Sequence, residues 1–144
     1  MVLSSDRPRA RGTYKKSEAS RNQVIRAAVA LLAERGLAGS SVGDIARAAG
    51  LSKGAVHYHF DSKQDLLEQV LEHCADQLRE RMVEAWQSAA DPAERVRSVV
   101  RAQRDVRRET SPEFRVLTEL RVAALHDESL RRAFVRVAEQ DRRE

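Results

Sequence analysis

The chain has 144 residues, about one domain's length, of which 42% are hydrophobic and 33% are charged. This composition excludes a disordered chain, and no apolar run approaches the roughly 20 residues that a membrane-spanning helix needs. The single cysteine, Cys74, excludes an intrachain disulfide framework, and no secretory signal is visible, so we expect a cytoplasmic protein.

Positive charge is concentrated in the first part of the chain. Residues 1–63 hold 11 lysines and arginines against 5 acidic residues, whereas residues 64–144 hold 15 against 17. Five of the six glycines lie between Gly36 and Gly54. This asymmetry indicates a polyanion-binding first part made of short, tightly turned elements, followed by a near-neutral part made of longer helices.

The N-terminal segment, residues 1–17, is polar and basic with little to bury, which predicts a flexible arm. A first helix is predicted from Glu18, because apolar residues then recur at helical spacing as far as Leu32. Gly36 supplies the stop signal of this helix.

Two short helices are predicted next. Ser41 and Asp44 have the spacing of a capping box at the start of the first of them, and Gly50 ends it. Ser52 can cap the second, which runs over residues 53–59. Because only a short corner separates them, the two helices are typical of a helix-turn-helix motif.

Four longer helices are predicted in the rest of the chain. Their start signals are a second capping-box pattern at Ser62, the pairs Asp91-Pro92 and Ser111-Pro112, and the acidic residue Glu128. Beyond the first helix, the apolar residues that we expect to be buried are Val42, Ile45, Ala49, Val96, Val99, Val100, Val106, Phe114, Leu117, Leu120, Leu125, Leu130, Ala133, Phe134, Val137 and Ala138. No segment alternates as a strand does, so the predicted fold class is all-α.

The second helix of the motif carries residues suited to DNA. The major groove, about 12 Å wide, admits one α-helix. Lys53 can neutralise a phosphate, Gly54 lets the backbone approach closely, and His57 and Tyr58 can donate or accept hydrogen bonds near base edges. Lys63 lies in the first turn of the next helix, where a cation is unfavourable for the helix dipole, and a bound phosphate would explain it.

The helix-turn-helix motif and its flanking residues contain several short runs that together form a recognisable pattern. These runs are Asp44-Ile45-Ala46, Ala49–Val56, His57–Phe60 and Asp61-Ser62-Lys63. In this order, residues 20–70 resemble the DNA-binding domain of TetR-family transcriptional regulators. The resemblance implies a DNA-binding domain over residues 18–63, with the helix-turn-helix motif at 41–60. By position, the residues that correspond to the family's DNA contacts are Ser40, Ser41, Ser52, Lys53, Gly54, His57, Tyr58, His59 and Lys63.

One departure from the family pattern is His57, which stands where the family more often has tyrosine, so the base preference does not follow from the match. The resemblance also implies that residues 64–144 form part of a helical domain that binds a small effector. The candidate pocket residues are Met82, Trp86, Phe114 and Thr118, although apolar side chains such as these also fill ordinary cores. The family's last two helices, which pair two subunits, have no counterpart among the predicted helices.

The function expected from these features is that of a DNA-binding transcriptional regulator, a ligand-responsive repressor in the bacterial cytoplasm that lies on the nucleoid when bound. Its expected partners are a duplex DNA operator, an unknown small effector and, from the family, a second copy of the chain. The alternative is a truncated helical ligand-binding or hetero-association module that binds DNA only weakly and without specificity.

Catalytic signatures are not visible in the sequence. There is no phosphate loop, no nucleophile elbow and no cluster with metal-ligand spacing, so we expect no enzyme, no cofactor and no metal site. His57 and His59 would face different ways on a helix. Cys74 lies on an apolar stripe, which predicts a buried and inert thiol.

Overall fold

The computed structural model describes the backbone of residues 9–108 and 111–140, and side chains from residue 15 onward. Seven helices lie in these ranges: α1 (Arg9–Arg35), α2 (Val42–Ala48), α3 (Lys53–His59), α4 (Lys63–Gln87), α5 (Pro92–Arg108), α6 (Pro112–Ala123) and α7 (Glu128–Gln140). The predicted all-α fold class is confirmed. None of the described helices is both long enough and apolar enough to cross a membrane.

The first helix, α1, begins at Arg9, nine residues earlier than the predicted start at Glu18. Residues 9–17 of the predicted flexible arm are therefore helical, and residues 1–8 of it lie outside the described residues. The physical reason is cooperativity. Adding residues to an existing helix costs far less than nucleating one, so even a polar segment with nothing to bury can extend it.

The caps of the two short helices are as predicted. The Ser41 hydroxyl accepts a hydrogen bond of 3.1 Å from the Asp44 amide, and the Asp44 carboxylate accepts one of 2.9 Å from the Ser41 amide. The Ser52 hydroxyl accepts a hydrogen bond from the Ala55 amide, as a cap of α3 should. Gly50 follows α2 with a φ of +68°, a conformation that glycine adopts without steric cost.

The later helices also begin where the sequence predicts. The Ser62 hydroxyl caps α4 by accepting from the Asp65 amide, but the Asp65 carboxylate accepts from the amide of Asp61 rather than from that of Ser62. The predicted capping box at Ser62 is therefore shifted by one residue in its second half. Asp91 and Ser111 each cap the helix that begins at the following proline.

One continuous core joins the two parts of the chain. The long helix α4 contributes to it along its first half, where Leu66, Val70 and Cys74 are all buried. Behind it, α6 packs against both α1 and α4, and α7 packs against α4. The helix-turn-helix is thereby fixed to the C-terminal helices through α1 and α4 rather than through a flexible linker.

The predicted core is wrong mainly at the edge of the bundle. Val96 and Val100 on α5 are 56% and 59% exposed, Leu125 is 67% exposed, and Ala138 is also exposed. The reason is that α5 makes its main packing contacts with α4 alone, so one side of its apolar stripe has no neighbouring helix in the described part of the chain. Near its C-terminal end, Val106 is buried as predicted.

Candidate nucleic-acid interface

Helix α3 presents one face to the core and the other to solvent. Val56 is buried within it, and Phe60 is buried directly after it. On the opposite side Lys53, His57 and Tyr58 are exposed, and the tyrosine has 79% of its surface accessible. A cation, an imidazole and a phenol thus share one accessible surface, which also includes exposed Ser52 and Gly54.

His59 occupies a different position from the other predicted contact residues of α3. It is half-buried, and its Nε2 atom lies 3.1 Å from the hydroxyl oxygen of Ser20 on α1. Its ring also packs edge-on against the ring of Tyr58, with 5.1 Å between centroids. His59 therefore links the C-terminal end of α3 to α1 through a side-chain hydrogen bond.

The turn between α1 and α2 separates the two predicted serines. Ser40 is buried, and its hydroxyl donates a hydrogen bond of 2.9 Å to the carbonyl of Gly36. Ser41 is exposed at the start of α2. Of the two, Ser41 is therefore the residue that an approaching phosphate can reach, and Ser40 holds the turn that positions it.

Lys63 has a protein partner that the sequence did not suggest. Its Nζ atom donates a hydrogen bond of 3.2 Å to the carbonyl of Leu37, in the same turn. The amide of Leu37 in turn donates to the carboxylate of Glu119 on α6. The position of Lys63 at a helix start is thus explained within the protein, without the phosphate on which the dipole argument relied.

An open depression of about 540 Å³ lies where this turn meets α2 and α3. It is lined by Ala38, Gly39, Ser40, Ser41, Val42, Gly43, Asp44, Lys53, His57 and Lys63. The structure therefore brings five of the nine predicted contact residues to one concave surface. The exposed residues Ser52, Gly54 and Tyr58 lie beside it on α3, and His59 faces α1.

The carboxylate of Asp44, which lines this depression, is stabilised in its charged form by neighbouring side chains. Hydrogen bonds from Ser41, together with Arg47, lower the pKa of Asp44 to about 2 from its ordinary value of 3.8. Sequence reasoning did not single out Arg47, whose side chain is largely exposed and whose Nη1 atom lies 3.0 Å from an Asp44 carboxylate oxygen. The spacing of three residues could have identified this pair.

A second cavity, of about 520 Å³, lies among α4, α5, α6 and α7. Of the four predicted pocket residues, Met82 and Phe114 line it. Trp86 does not, because it is 45% exposed near the end of α4 with the Arg95 guanidinium 5.7 Å from its ring centroid. Thr118 is also separated from the cavity, since it lies in a different groove between α6 and α1. The prediction that Met82, Trp86, Phe114 and Thr118 share one pocket is therefore wrong for Trp86 and Thr118.

The structure also shows how the histidine, cysteine and acidic side chains are arranged. In the part of the chain that the structure describes, no three His, Cys, Asp or Glu side chains are placed to hold a metal ion. Cys74 is buried as predicted, and burial, with the nearby charge of Glu113, raises the pKa of its thiol to about 12.

Comparison with known proteins shows which proteins the chain is similar to. The model of the family described as "Bacterial regulatory proteins, tetR family" matches residues 24–70. The transcriptional repressor KstR2 of Mycobacterium tuberculosis H37Rv is 35% identical over 82 residues, which are 57% of this chain and 41% of KstR2. The transcriptional regulator CymR of Pseudomonas putida is 31% identical over 137 residues, which are 94% of this chain and 66% of CymR.

Solved structures show the same fold. A TetR family transcription regulator from Marinobacter aquaeolei VT8 superposes with a TM-score of 0.71 at 24% identity, covering 88% of this chain and 66% of the other. The superposition extends well beyond the helix-turn-helix into the C-terminal helices. The chain spans less than half the length of KstR2 and about two thirds of that of CymR.

Proposed function

The chain belongs to the TetR family of bacterial transcriptional regulators, and from this membership we propose that it binds a DNA operator through α3, represses transcription there and is released when a small effector binds among α4 to α7. This function is regulatory rather than enzymatic. The proposal assigns DNA binding to residues 18–63, with the helix-turn-helix at 41–60, and effector binding to residues 64–144.

The observation that carries the proposal is the exposed face of α3. Its buried side, with Val56 and Phe60 next to it, fixes the helix, while Lys53, His57 and Tyr58 stand free of the core. Such a helix can enter the major groove without any rearrangement of the protein. Phosphate contacts would then set the affinity, and contacts with base edges would set the sequence preference.

Phosphate binding is supported by Lys53 on this face and by exposed lysines on α1. Lys53 lies at the edge of the depression that contains Ser41, and Lys15 and Lys16 are exposed near the start of α1. Because affinity for DNA falls with salt in proportion to the number of phosphates neutralised, we expect binding to weaken steeply as ionic strength rises.

Repression by this route requires two recognition helices. Two copies of α3 would sit about 34–36 Å apart, one turn of DNA, to contact the two halves of a palindrome. An effector that binds more tightly to a state with a different spacing would shift the population away from the DNA-binding state. In this proposal the second copy of the chain, the operator and the effector are the partners of the protein.

The test begins with selection of a preferred duplex from a random DNA pool, followed by fluorescence anisotropy with that duplex and a scrambled one. We expect Tyr58→Ala to weaken binding to the selected duplex more than to the scrambled one. Lys53→Ala should weaken both about equally and reduce the salt slope by about one. Arg132→Ala, an exposed change on α7, is the matched control.

Two outcomes would contradict the proposal. In the first, Lys53→Ala and Tyr58→Ala bind DNA as the unchanged protein does, which would leave the helix-turn-helix with a purely structural role. In the second, binding disappears near 200 mM salt and never distinguishes the selected duplex from the scrambled one, as expected for a module with only non-specific affinity.

A further inference from the structure

The cavity among α4 to α7 is lined mainly by apolar side chains. Its walls include Leu78, Met82, Phe114, Leu117, Phe134 and Val137. Its volume of about 520 Å³ lies within the roughly 300–1,000 Å³ of typical small-molecule sites. An occupant must therefore present an apolar body to these side chains, because an unpaired polar group placed among them would lose its hydrogen bonds to water.

The polar groups of the same cavity are cationic or neutral. They are Arg79, Gln103, Arg107 and Arg121, and none of the described residues that line the cavity carries a carboxylate. Arg79 is already in an ion pair of 2.7 Å with Asp76. Within the described ranges, Arg107 and Arg121 have no acidic partner, and the Arg121 guanidinium lies 5.9 Å from the ring centroid of Phe134. Two arginines without an acidic partner among the described residues thus border an apolar space.

We propose that this cavity binds an amphipathic organic acid, a molecule with an apolar body and one carboxylate head, and the inference rests on the proposed function in which this cavity is the effector site. The guanidinium groups of Arg107 and Arg121 pair with the carboxylate, for which their planar donor geometry is well matched. The apolar body lies against Met82, Phe114 and Phe134. A cationic amphiphile fits poorly, since none of the described lining side chains carries a negative charge to neutralise it.

The placement of α6 gives such binding a route to the DNA-binding part. Phe114, Leu117 and Arg121 line the cavity from one side of this helix, while Glu119 extends from another side to the amide of Leu37. An acid held by Arg121 acts directly on the helix that also fixes the turn before α2. Binding is therefore expected to alter affinity for DNA as well as to occupy the cavity.

The test is isothermal titration of the 144-residue chain with decanoate and 4-phenylbutyrate, each below its aggregation concentration. Decyltrimethylammonium and decanol serve as cationic and neutral matches. We expect saturable binding of at least one acid with one site per chain, and weakening of it by roughly tenfold or more in Arg107→Gln and Arg121→Gln. The control Arg132→Gln, an exposed arginine on α7 outside the cavity lining, should bind the acid unchanged.

Three results would overturn the inference: no acid binds, the cation binds as tightly as the acid, or the two cavity variants bind as Arg132→Gln does. Circular dichroism of each variant confirms that it is folded, as expected for changes at exposed side chains. DNA anisotropy is measured in the same samples. Loss of acid binding with DNA binding intact refutes only the ligand class, whereas acid binding without any DNA binding refutes the proposed function.

Discussion

The carboxylate of Glu119 on α6 accepts a hydrogen bond of 2.7 Å from the backbone amide of Leu37, 82 residues earlier in the chain. The carbonyl of Leu37 accepts a second bond from Lys63 on α4. Both backbone polar groups of Leu37, in the turn between α1 and α2, are thus bonded to side chains of α4 and α6, two helices that pack on α1. Gly36, just before this residue, has a φ of +77°, and a Cβ atom there would also lie 3.0 Å from the Glu119 oxygen, so glycine suits both the turn and the contact.

The first prediction concerns this contact. Glu119→Ala leaves the half-buried Leu37 amide without its acceptor, and we expect the free energy of unfolding to fall by about 1–2 kcal/mol. Glu119→Gln should recover most of the loss, since its side-chain carbonyl can accept the same bond. Urea unfolding measures the difference, with Glu139→Ala on the exposed side of α7 as the control. Equal stability of Glu119→Ala and Glu139→Ala would contradict the assigned role.

The second prediction uses two glycines of the helix-turn-helix that differ in backbone conformation. A Cβ atom at Gly43, inside α2, would meet only the Ser41 hydroxyl at an ordinary 3.6 Å, so Gly43→Ala should stabilise the protein by about 0.5–1 kcal/mol. Gly50 has a φ of +68°, so Gly50→Ala should destabilise it by about 1–2 kcal/mol even though the space around it is open.

Thermal unfolding of the two glycine variants shows whether the backbone conformation or the room for a side chain determines the effect of each substitution. If Gly50→Ala leaves the melting temperature unchanged or raises it, the left-handed conformation at Gly50 is not what requires a glycine there.

The helix starts could be predicted because their signals are local. Ser41, Ser52 and Ser111 each bond an amide three residues ahead, and such spacing is visible in the sequence. The start of α1 and the exposure of Val96 could not be predicted in the same way. The first depends on cooperative extension of a helix, and the second depends on which helices surround α5.

The candidate interface also divides into features that local sequence predicts and features that depend on packing. The exposed face of α3 follows from its helical period and from the resemblance to a known family. The roles of Ser40, His59 and Lys63 within the fold do not, because their partners are backbone or hydroxyl groups that no motif marks. The Lys63 bond to Leu37 and the His59 bond to Ser20 span 26 and 39 residues, and only the packed structure brings these groups together.

The third prediction concerns the thiol of Cys74. The residue is inaccessible and its pKa is raised to about 12, so we expect the folded chain not to react with Ellman's reagent at mildly alkaline pH. The chain in denaturant should release one equivalent of the coloured product, which provides the internal control. Rapid stoichiometric labelling of the folded chain would contradict the assignment of a buried, inert thiol.

The raised pKa of Cys74 also has a consequence for stability at high pH. Because the thiol ionises more readily in the unfolded chain, its stabilising contribution is complete below the ordinary pKa of 9.0 and is lost as the pH rises toward about 12. The difference in unfolding free energy between the unchanged chain and Cys74→Ala should therefore shrink over this range.

The last prediction concerns the capping box of α2. Hydrogen bonds from Ser41 hold the pKa of Asp44 at about 2, below its ordinary value of 3.8, with Arg47 as a further cause. A lowered carboxylate pKa stabilises the folded state above the ordinary value, and this stabilisation is lost as the pH falls toward about 2. Asp44→Asn should therefore be less stable than the unchanged chain at neutral pH, and this difference in unfolding free energy should close on acidification below about pH 4.

Urea unfolding at several pH values measures the gap, and Glu139→Gln provides the control for a general loss of negative charge. A gap that stays constant down to pH 2 would mean that the charge of the Asp44 carboxylate has no part in fixing the start of α2 beside the candidate interface.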